Sequence, residues 1–466
     1  MIRLRSSLPF LGVFLFSLVV GQNMQQQEDI YNPLKHQSFR KIHPLSVFKL
    51  FSPFNTGYDS SKYNTLLGFS PDFYSGGVKN DVYKFHLWGS MNIKNWSLLI
   101  EPVVVNKSHG QDVLGSSFTR FGISGRIVNA FLRYKGESLN VHVGRSPLFW
   151  GQSFTKSIIH TTTGPTYDHV SVKIDFANVQ FEIFSGQLGP DTANVDVRIK
   201  RLTAGHRMVW ISPSNKWMIS VGEQVVYTGT HRSLEFMYIN PFVPYFFSAV
   251  EGDELYDPND SDNSIIFLTA RYNITPSFSL YNELVIDDFQ VDKNNLKNQY
   301  GFRIGADGAI TIVNIPLTWE SDFTKMNSWT NIHYGQSTSW VNRGHALGYI
   351  YGTDLWSAHI QGDAWLTNEI LLNIDYTWLV KGSNSLQALY ENWYEIDSNS
   401  FPSSPTINHN LLSISMGWWS QYGMIEVGYS SIPFDNYIAY EGLIKQSDGK
   451  IFIHYKYIFQ KGFELR

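Results

Sequence analysis

The sequence has no cysteine, little charge and, after its first 21 residues, no long apolar run. Without cysteine there is no thiol nucleophile, no thiolate metal site and no disulfide framework. Charged residues make up 16% of the 466 positions, against about 25% in ordinary soluble domains. A helical membrane span needs about 20 consecutive apolar residues, and none is found. A net charge of -4 supplies no basic field for nucleic acid. What is abundant is aromatic: 14 Trp, 26 Tyr and 32 Phe exclude intrinsic disorder. Apolar residues in such a chain fit best at every second position.

The N-terminus has the layout of a secretory signal. A basic start, Met1 to Arg5, precedes an apolar core from Leu8 to Val20. Val19 and Gly21 are small enough for the −3 and −1 positions of a peptidase site. The mature chain is expected to begin near Gln22 and to leave the cytoplasm, and the absence of cysteine after the core excludes lipoprotein attachment.

Alternation of period two then runs through most of the chain. Val170, Val172, Ile174 and Phe176 oppose Ser171, Lys173 and Asp175. Ile266, Leu268, Ala270 and Tyr272 oppose Phe267, Thr269 and Arg271, and Leu412, Ile414, Met416 and Trp418 oppose Ser413, Ser415 and Gly417. Side chains alternate across a strand, so each segment has one apolar and one polar face. A soluble sandwich would alternate too. Strands of about 9–12 residues match a tilted bilayer crossing, the polar faces carry Lys, Arg, Asp and Glu, and the apolar faces end in Trp and Tyr, as in membrane girdles. Backbone groups in lipid must be paired, so such strands close on themselves. The expectation is an all-β chain: a transmembrane antiparallel outer-membrane β-barrel of 18 strands, within a range of 16–20, running from Val82 to Phe459. Residues 1–21 are read as signal peptide, 22–76 as a short periplasmic lead or plug, and 77–466 as barrel. Short links near Ile93 to Asn95, Gly136, Ala177, Pro213 to Asn215 and Thr275 to Pro276 alternate with long ones, which makes the short set periplasmic.

Two motifs stand out. Gly144-Arg145-Ser146-Pro147-Leu148-Phe149-Trp150-Gly151 sits where an ascending strand enters a long loop. It either folds over the rim, or Trp150 stacks on a ligand ring while Arg145 supplies donors. Ala204-Gly205-His206-Arg207 descends from the outside, with Glu223 on the next strand. If paired positions sum to 428–430, Arg207 and Glu223 become diagonal neighbours on one face, as a wall strut or as part of a site. An acidic run, Glu251, Asp253, Glu254, Asp257, Asp260 and Asp262, lacks the order of a calcium loop and reads as a solvated loop. No nucleophile elbow and no His-Glu-x-x-His occurs. Tyr334 to Ser337 and Asn408 to Asn410 resemble outer-membrane phospholipase signatures but lack the His-x-Ser strand. No catalytic residue, metal or cofactor is expected.

From Gly144 to Pro244 the sequence resembles the capsule-assembly Wzi family of outer-membrane proteins. In order come Gly144-Arg145 with Trp150-Gly151, Pro165 before Asp168, Ala204-Gly205-His206-Arg207, Gly222-Glu223 with Tyr227, and Ile239-Asn240-Pro241. Gln152-Ser153 replaces the usual Pro-Gly, and the lead is shorter than the helical periplasmic bundle of well-known members. The resemblance implies a surface lectin without chemistry: a barrel that binds exported polysaccharide and holds it on the cell. Partners are then capsular or extracellular polysaccharide, outer-membrane lipid and the barrel assembly machinery, and no nucleic acid. Arg145, Trp150, Arg207 and Glu223 are the candidate ligand residues, expected to gather in the outer half of the barrel. A diffusion channel and an outer-membrane hydrolase are the alternatives. The loop aromatics Phe149, Trp150, Phe242, Tyr245, Phe246, Trp329, Tyr334 and Trp340 favour the first.

Overall fold

The computed structural model describes residues 65–76, 81–106, 114–116, 118–153, 156–189, 199–245, 261–288, 298–313, 315–332, 336–367, 369–386, 401–420, 423–431 and 449–463. Eighteen strands form the wall. They are β1 (Thr65–Gly76), β2 (Val82–Ile93), β3 (Trp96–Asn106), β4 (Ile123–Lys135), β5 (Leu139–Ser146) and β6 (Tyr167–Phe176). Next come β7 (Val179–Gln187), β8 (Lys200–Ile211), β9 (Trp217–Gly229), β10 (Ser261–Thr275), β11 (Phe278–Asp288) and β12 (Gln299–Ile312). The last are β13 (Ile315–Met326), β14 (Leu355–Trp365), β15 (Ile370–Lys381), β16 (Ile407–Ser420), β17 (Gly423–Ser430) and β18, which runs Lys450–Tyr457 and continues as Phe459–Phe463. Each strand pairs antiparallel with its neighbours in sequence. The sheet closes where β1 pairs with β18, Tyr74 opposite His454 and Thr65 opposite Phe463. No edge is left for lipid to meet.

The alternation has the expected sense. On β6, Val170, Ile174 and Phe176 point out and are exposed, whereas Lys173 is buried inside. On β16 and β15, Ile414, Met416, Trp418 and Ile374 point out while Ser415 and Asn373 point in. Outward aromatics collect at the short-turn end, where Trp217 stacks on Tyr272 at 4.4 Å and Trp96 lies 5.1 Å from Tyr134. Lys94, Ala177 and Asn215 take positive φ in these turns, as tight hairpin links require. In outer-membrane barrels the short-turn end is periplasmic.

The wall begins earlier than the sequence suggests. Thr65–Gly76, assigned above to the lead segment, is the first strand. Its alternation is muted because the inward face holds Gly68, Ser70 and Asp72 beside Leu66 and Tyr74, and Pro71 interrupts the outward face. The wall also extends past Phe459 to Phe463. Residues 1–64, with the signal and the rest of the lead, lie outside the described residues, as does the acidic stretch 246–260.

The long loops do not all stay outside. Two of them, described over 147–153 and 156–166 after β5 and over 327–332 and 336–354 after β13, turn into the lumen. Trp150, Ile158, Ile159, Trp340 and Tyr349 from these loops join one apolar cluster with the wall residues Phe184, Val226, Ile265, Phe267, Val285, Leu355, Leu379 and Leu411. That cluster bridges the wall from β7 to β16 and packs the long-loop half of the lumen. Within the loop after β13, residues 341–346 form a small hairpin. Arg201 of β8 holds it, donating to the carbonyls of Ser337, Ser339 and Val341 at 2.6–3.0 Å.

Candidate functional site

The loop after β5 is a strap across the lumen. Its ends are drawn together by a bridge between Trp150 and His160, in which each amide donates to the other's carbonyl, at 3.1 and 3.4 Å. Ser157 Oγ donates to the Trp150 carbonyl at 2.7 Å. On the far wall, the Glu283 carboxylate of β11 accepts two main-chain hydrogen bonds from the strap, Gln152 N at 2.5 Å and Ile158 N at 3.0 Å, and stands 3.3 Å from Ser157 Oγ. Arg271 of β10 donates to the Gln152 carbonyl at 3.1 Å, and Arg303 of β12 donates to the Lys156 carbonyl. Arg303 is itself fixed by Asp322 at 2.7 Å and Glu320 at 3.2 Å. The strap backbone thus finds its partners in the wall, as buried amides and carbonyls must. His160 lies inside it with its ring 3.1 Å from the Tyr167 hydroxyl, and burial pushes its pKa down to about 3.

Trp150 is the keel of the strap and is 1% exposed. It meets Phe184 edge-on at 5.0 Å and lies 5.6 Å from Phe267. The wall is cut away to receive it. A Cβ on Gly205 would stand 2.4 Å from Phe184 and 2.9 Å from Trp150, and one on Gly222 would stand 2.5 Å from Phe267. The guanidinium of Arg207 covers the Trp150 ring at 4.9 Å and donates to Glu182 of β7 at 2.7 Å. Beneath the strap lies a recess of about 20 Å³, room for about one water, lined by Trp150, Phe184, Glu182, Lys173, His142 and Arg133 among others. Trp150 Nε1 and Glu182 Oε1 are buried with no hydrogen-bond partner in the protein.

The four nominated residues separate into two pairs on opposite faces of the wall. Trp150 and Arg207 meet inside. Arg207 is four residues from the short-turn end of β8 and seven from its outer end, so the pair does not sit in the outer half. Trp150 is not displayed to solvent, because the strap carries it inward. Arg145 points outward at the rim, where it holds Asp168 in a two-point ion pair, at 2.5 and 3.1 Å, and donates to the Ile127 carbonyl. Glu223 does not pair with Arg207. The register places His206 opposite Glu223 and Arg207 opposite Gly222. Pairs therefore sum to 429, and 207 with 223 falls on opposite faces. Arg207 takes Glu182 instead. Glu223 and His206 face outward under the segment 232–245, which lies on the outer wall: Tyr238 and Tyr245 pack on Leu202, Ala204, Val225 and Tyr227, and Tyr245 N donates to Glu223 at 2.6 Å. Asp262, the described end of the acidic run, pairs with Arg232 here.

Sequence reading missed Glu283 and Glu182. Both lie on inward positions of their strands, and a carboxylate at mid-strand facing a lumen is the signal that could have found them.

No family model matches the sequence, and no curated protein matches it either. Solved structures do. Wzi of Escherichia coli, an outer-membrane protein involved in group 1 capsule assembly and a carbohydrate-binding β-barrel, matches with a TM-score of 0.57 at 12% identity over 93% of each chain. The Pseudomonas aeruginosa protein OccD3 (OpdP) matches with a TM-score of 0.46 at 10% identity, covering 85% of this chain and 91% of its own. The outer-membrane channel DcaP of Acinetobacter baumannii gives 0.41 at 9% identity, over 86% and 99%. The chain is a closed antiparallel barrel of the outer-membrane kind.

Proposed function

We propose that this protein binds an exported polysaccharide, capsular or otherwise extracellular, and helps attach or assemble it on the cell surface, without catalysing a reaction. The observation that carries this reading is the apolar cluster that packs the outer lumen from β7 to β16. Loops that bury Trp150, Trp340 and Tyr349 against the wall suit a body that holds ligands better than a conduit. The Wzi barrel, similar in fold, is a carbohydrate-binding protein, which supports the same ligand class. Inside, the recess under the strap is too small for a sugar ring; a single water satisfies the N–H of Trp150 and the carboxylate of Glu182, being donor and acceptor at once. Trp150, Arg207 and Glu182 are the residues we assign to holding the strap, so that the saccharide meets the long-loop face above it. On this reading the signal is removed after Gly21, the barrel assembly machinery inserts the mature chain, and outer-membrane lipid surrounds it.

The competing reading is a diffusion channel, which the charged inward residues Arg271, Asp307 and Arg303 would suit. Planar-bilayer recording separates the two. Purified barrel should show no steady open current, and a glycan array should retain it on one polymer class. A stable ohmic conductance with no retained glycan would replace the binding reading by the channel.

A further inference from the structure

Two ionisable residues stand on the outward face of the wall in mid-strand. Glu223 is the seventh residue of β9 and His206 the seventh of β8, and the register sets them opposite each other. At about 3.3 Å per residue and a tilt of about 40°, Glu223 lies about 15 Å above Trp217 at the short-turn end. The apolar band of an outer-membrane barrel is about 25 Å tall, so both groups fall within it. A carboxyl and an imidazole facing lipid are costly. Their cover is the segment 232–245. We propose that this segment is a flap sunk into the outer leaflet, with Leu234, Phe236 and Phe242 seated among the acyl chains of the lipid.

The flap runs from the rim down the wall, and its charges stay at the rim. Arg232 pairs with Glu235 at 2.8 Å and with Asp262, which stands opposite Tyr227 near the outer end of β9. Tyr238 donates its hydroxyl to Asp262 and packs on Tyr227, the ring centres 4.7 Å apart. Tyr245 has reached Glu223. Its amide donates to the carboxylate at 2.6 Å, and its ring meets His206 edge-on at 4.6 Å. From Tyr227 to Glu223 the descent is about 13 Å along the strand.

Backbone polar groups at membrane depth must be paired. The amides of Tyr238, Asn240, Phe242 and Tyr245 donate to the Glu235 carbonyl, the Phe236 carbonyl, Asn240 Oδ1 and the Glu223 carboxylate, at 2.6–3.2 Å. Pro241 and Pro244 have no amide to satisfy. The Tyr245 hydroxyl donates to the Tyr238 carbonyl at 2.9 Å. What the flap turns away from the wall is apolar. Phe236 is 88% exposed, Phe242 83%, and Leu234 is exposed as well. That face continues a surface that already meets lipid. Ile266, opposite Glu223 on β10, is 46% exposed on the outward face, and Val221 and Leu268 are exposed next to it toward the short turns. Lipid is therefore the occupant that the neighbouring wall already has.

The chain has no cysteine, so one introduced thiol carries a single label. Phe236→Cys and Phe242→Cys, each in the full mature chain and labelled with a fluorophore, are reconstituted in phosphatidylcholine vesicles. Ile266→Cys is the lipid-facing standard. Ser138→Cys, in the short turn between β4 and β5, is the aqueous one. Lipid carrying a nitroxide on its acyl chain should quench both flap labels to the extent seen at Ile266→Cys. Iodide, present on both sides of the membrane, should quench them no more than it quenches that standard. Iodide quenching of either label as strong as at Ser138→Cys puts the flap in water and overturns the proposal. Quenching by neither agent shows a face covered by protein, from this chain or a second copy, and overturns it too. Leu234→Cys replaces either variant that does not migrate as a folded barrel.

Discussion

Replacing Glu283 by alanine should free the strap while leaving the barrel closed. The carboxylate accepts two main-chain amides, Gln152 N and Ile158 N. Hydrogen bonds to a charged group contribute about 1.5–3 kcal/mol each, so losing the two amide bonds costs the docked strap about 3–6 kcal/mol. At 1.4 kcal/mol per factor of ten, strap opening should rise by roughly two to four orders of magnitude. The wall does not depend on these bonds, since β11 keeps its full ladders to β10 and β12. Hydrogen exchange followed by mass spectrometry on peptides covering residues 148–160 reads the effect directly. Those amides should exchange at least a hundredfold faster in Glu283→Ala, while peptides from β16 and β17 stay protected. Glu283→Gln should fall between, because it keeps one acceptor oxygen but presents an NH2 where an amide must be received. Strap exchange within tenfold of wild type, in a variant that still migrates as a folded barrel, would show that the strap is held by packing alone.

Trp150→Ala should destabilise the barrel by about 3–5 kcal/mol in urea unfolding, because the ring fills the seat between Gly205 and Phe267; an unchanged midpoint would place the ring outside the core. Arg207→Ala leaves Glu182 buried without its cation and should cost about 3–5 kcal/mol, while the double variant with Glu182→Gln recovers part of it; a purely additive cycle would deny the pair. His160 has its pKa pushed down to about 3 in the folded strap, below an unfolded value near 6.5. Its contribution to stability is complete above pH 6.5 and is lost progressively as pH falls toward 3, since the unfolded chain takes up the proton first. The difference in Tm between wild type and His160→Gln should therefore shrink from pH 7 to pH 4, and a constant difference would count against a buried neutral ring.

The wall was legible because its code is local. Lys173 against Ile174, or Asn373 against Ile374, declares its face within two residues. The strap was not, because its partners are far along the chain: Gln152 and Ile158 meet Glu283, and Trp150 meets Gly205. A loop has no period from which inward or outward can be read, so Trp150 had the same signature whether it faced solvent or the lumen. The trace that did exist was glycine. Gly205 and Gly222 sit in strands, where glycine weakens the wall unless something must approach closely. The motifs that carried the family resemblance, Trp150-Gly151, Ala204-Gly205-His206-Arg207 and Gly222-Glu223, include the parts of that one seat. The Arg207–Glu223 pairing failed for a narrower reason. A sum of 429 rather than 430 changes face, and the turn between Ile211 and Met218 fixes that sum only in three dimensions.

The strap also dictates when the lumen can dry. It leaves the wall between β5 and β6, but its anchors, Arg271, Glu283 and Arg303, lie on β10, β11 and β12, more than a hundred residues along the chain. The cluster it completes reaches as far as Leu411 on β16. Contacts this distant in sequence carry a large loop-closure cost and form slowly. A chain lacking β16 would leave Val226, Ile265, Phe267 and Val285 without part of their cover, with apolar surface available to a chaperone or to another unfinished chain. A mutation at Glu283 should then register first in the yield of finished barrels and only afterwards in their stability.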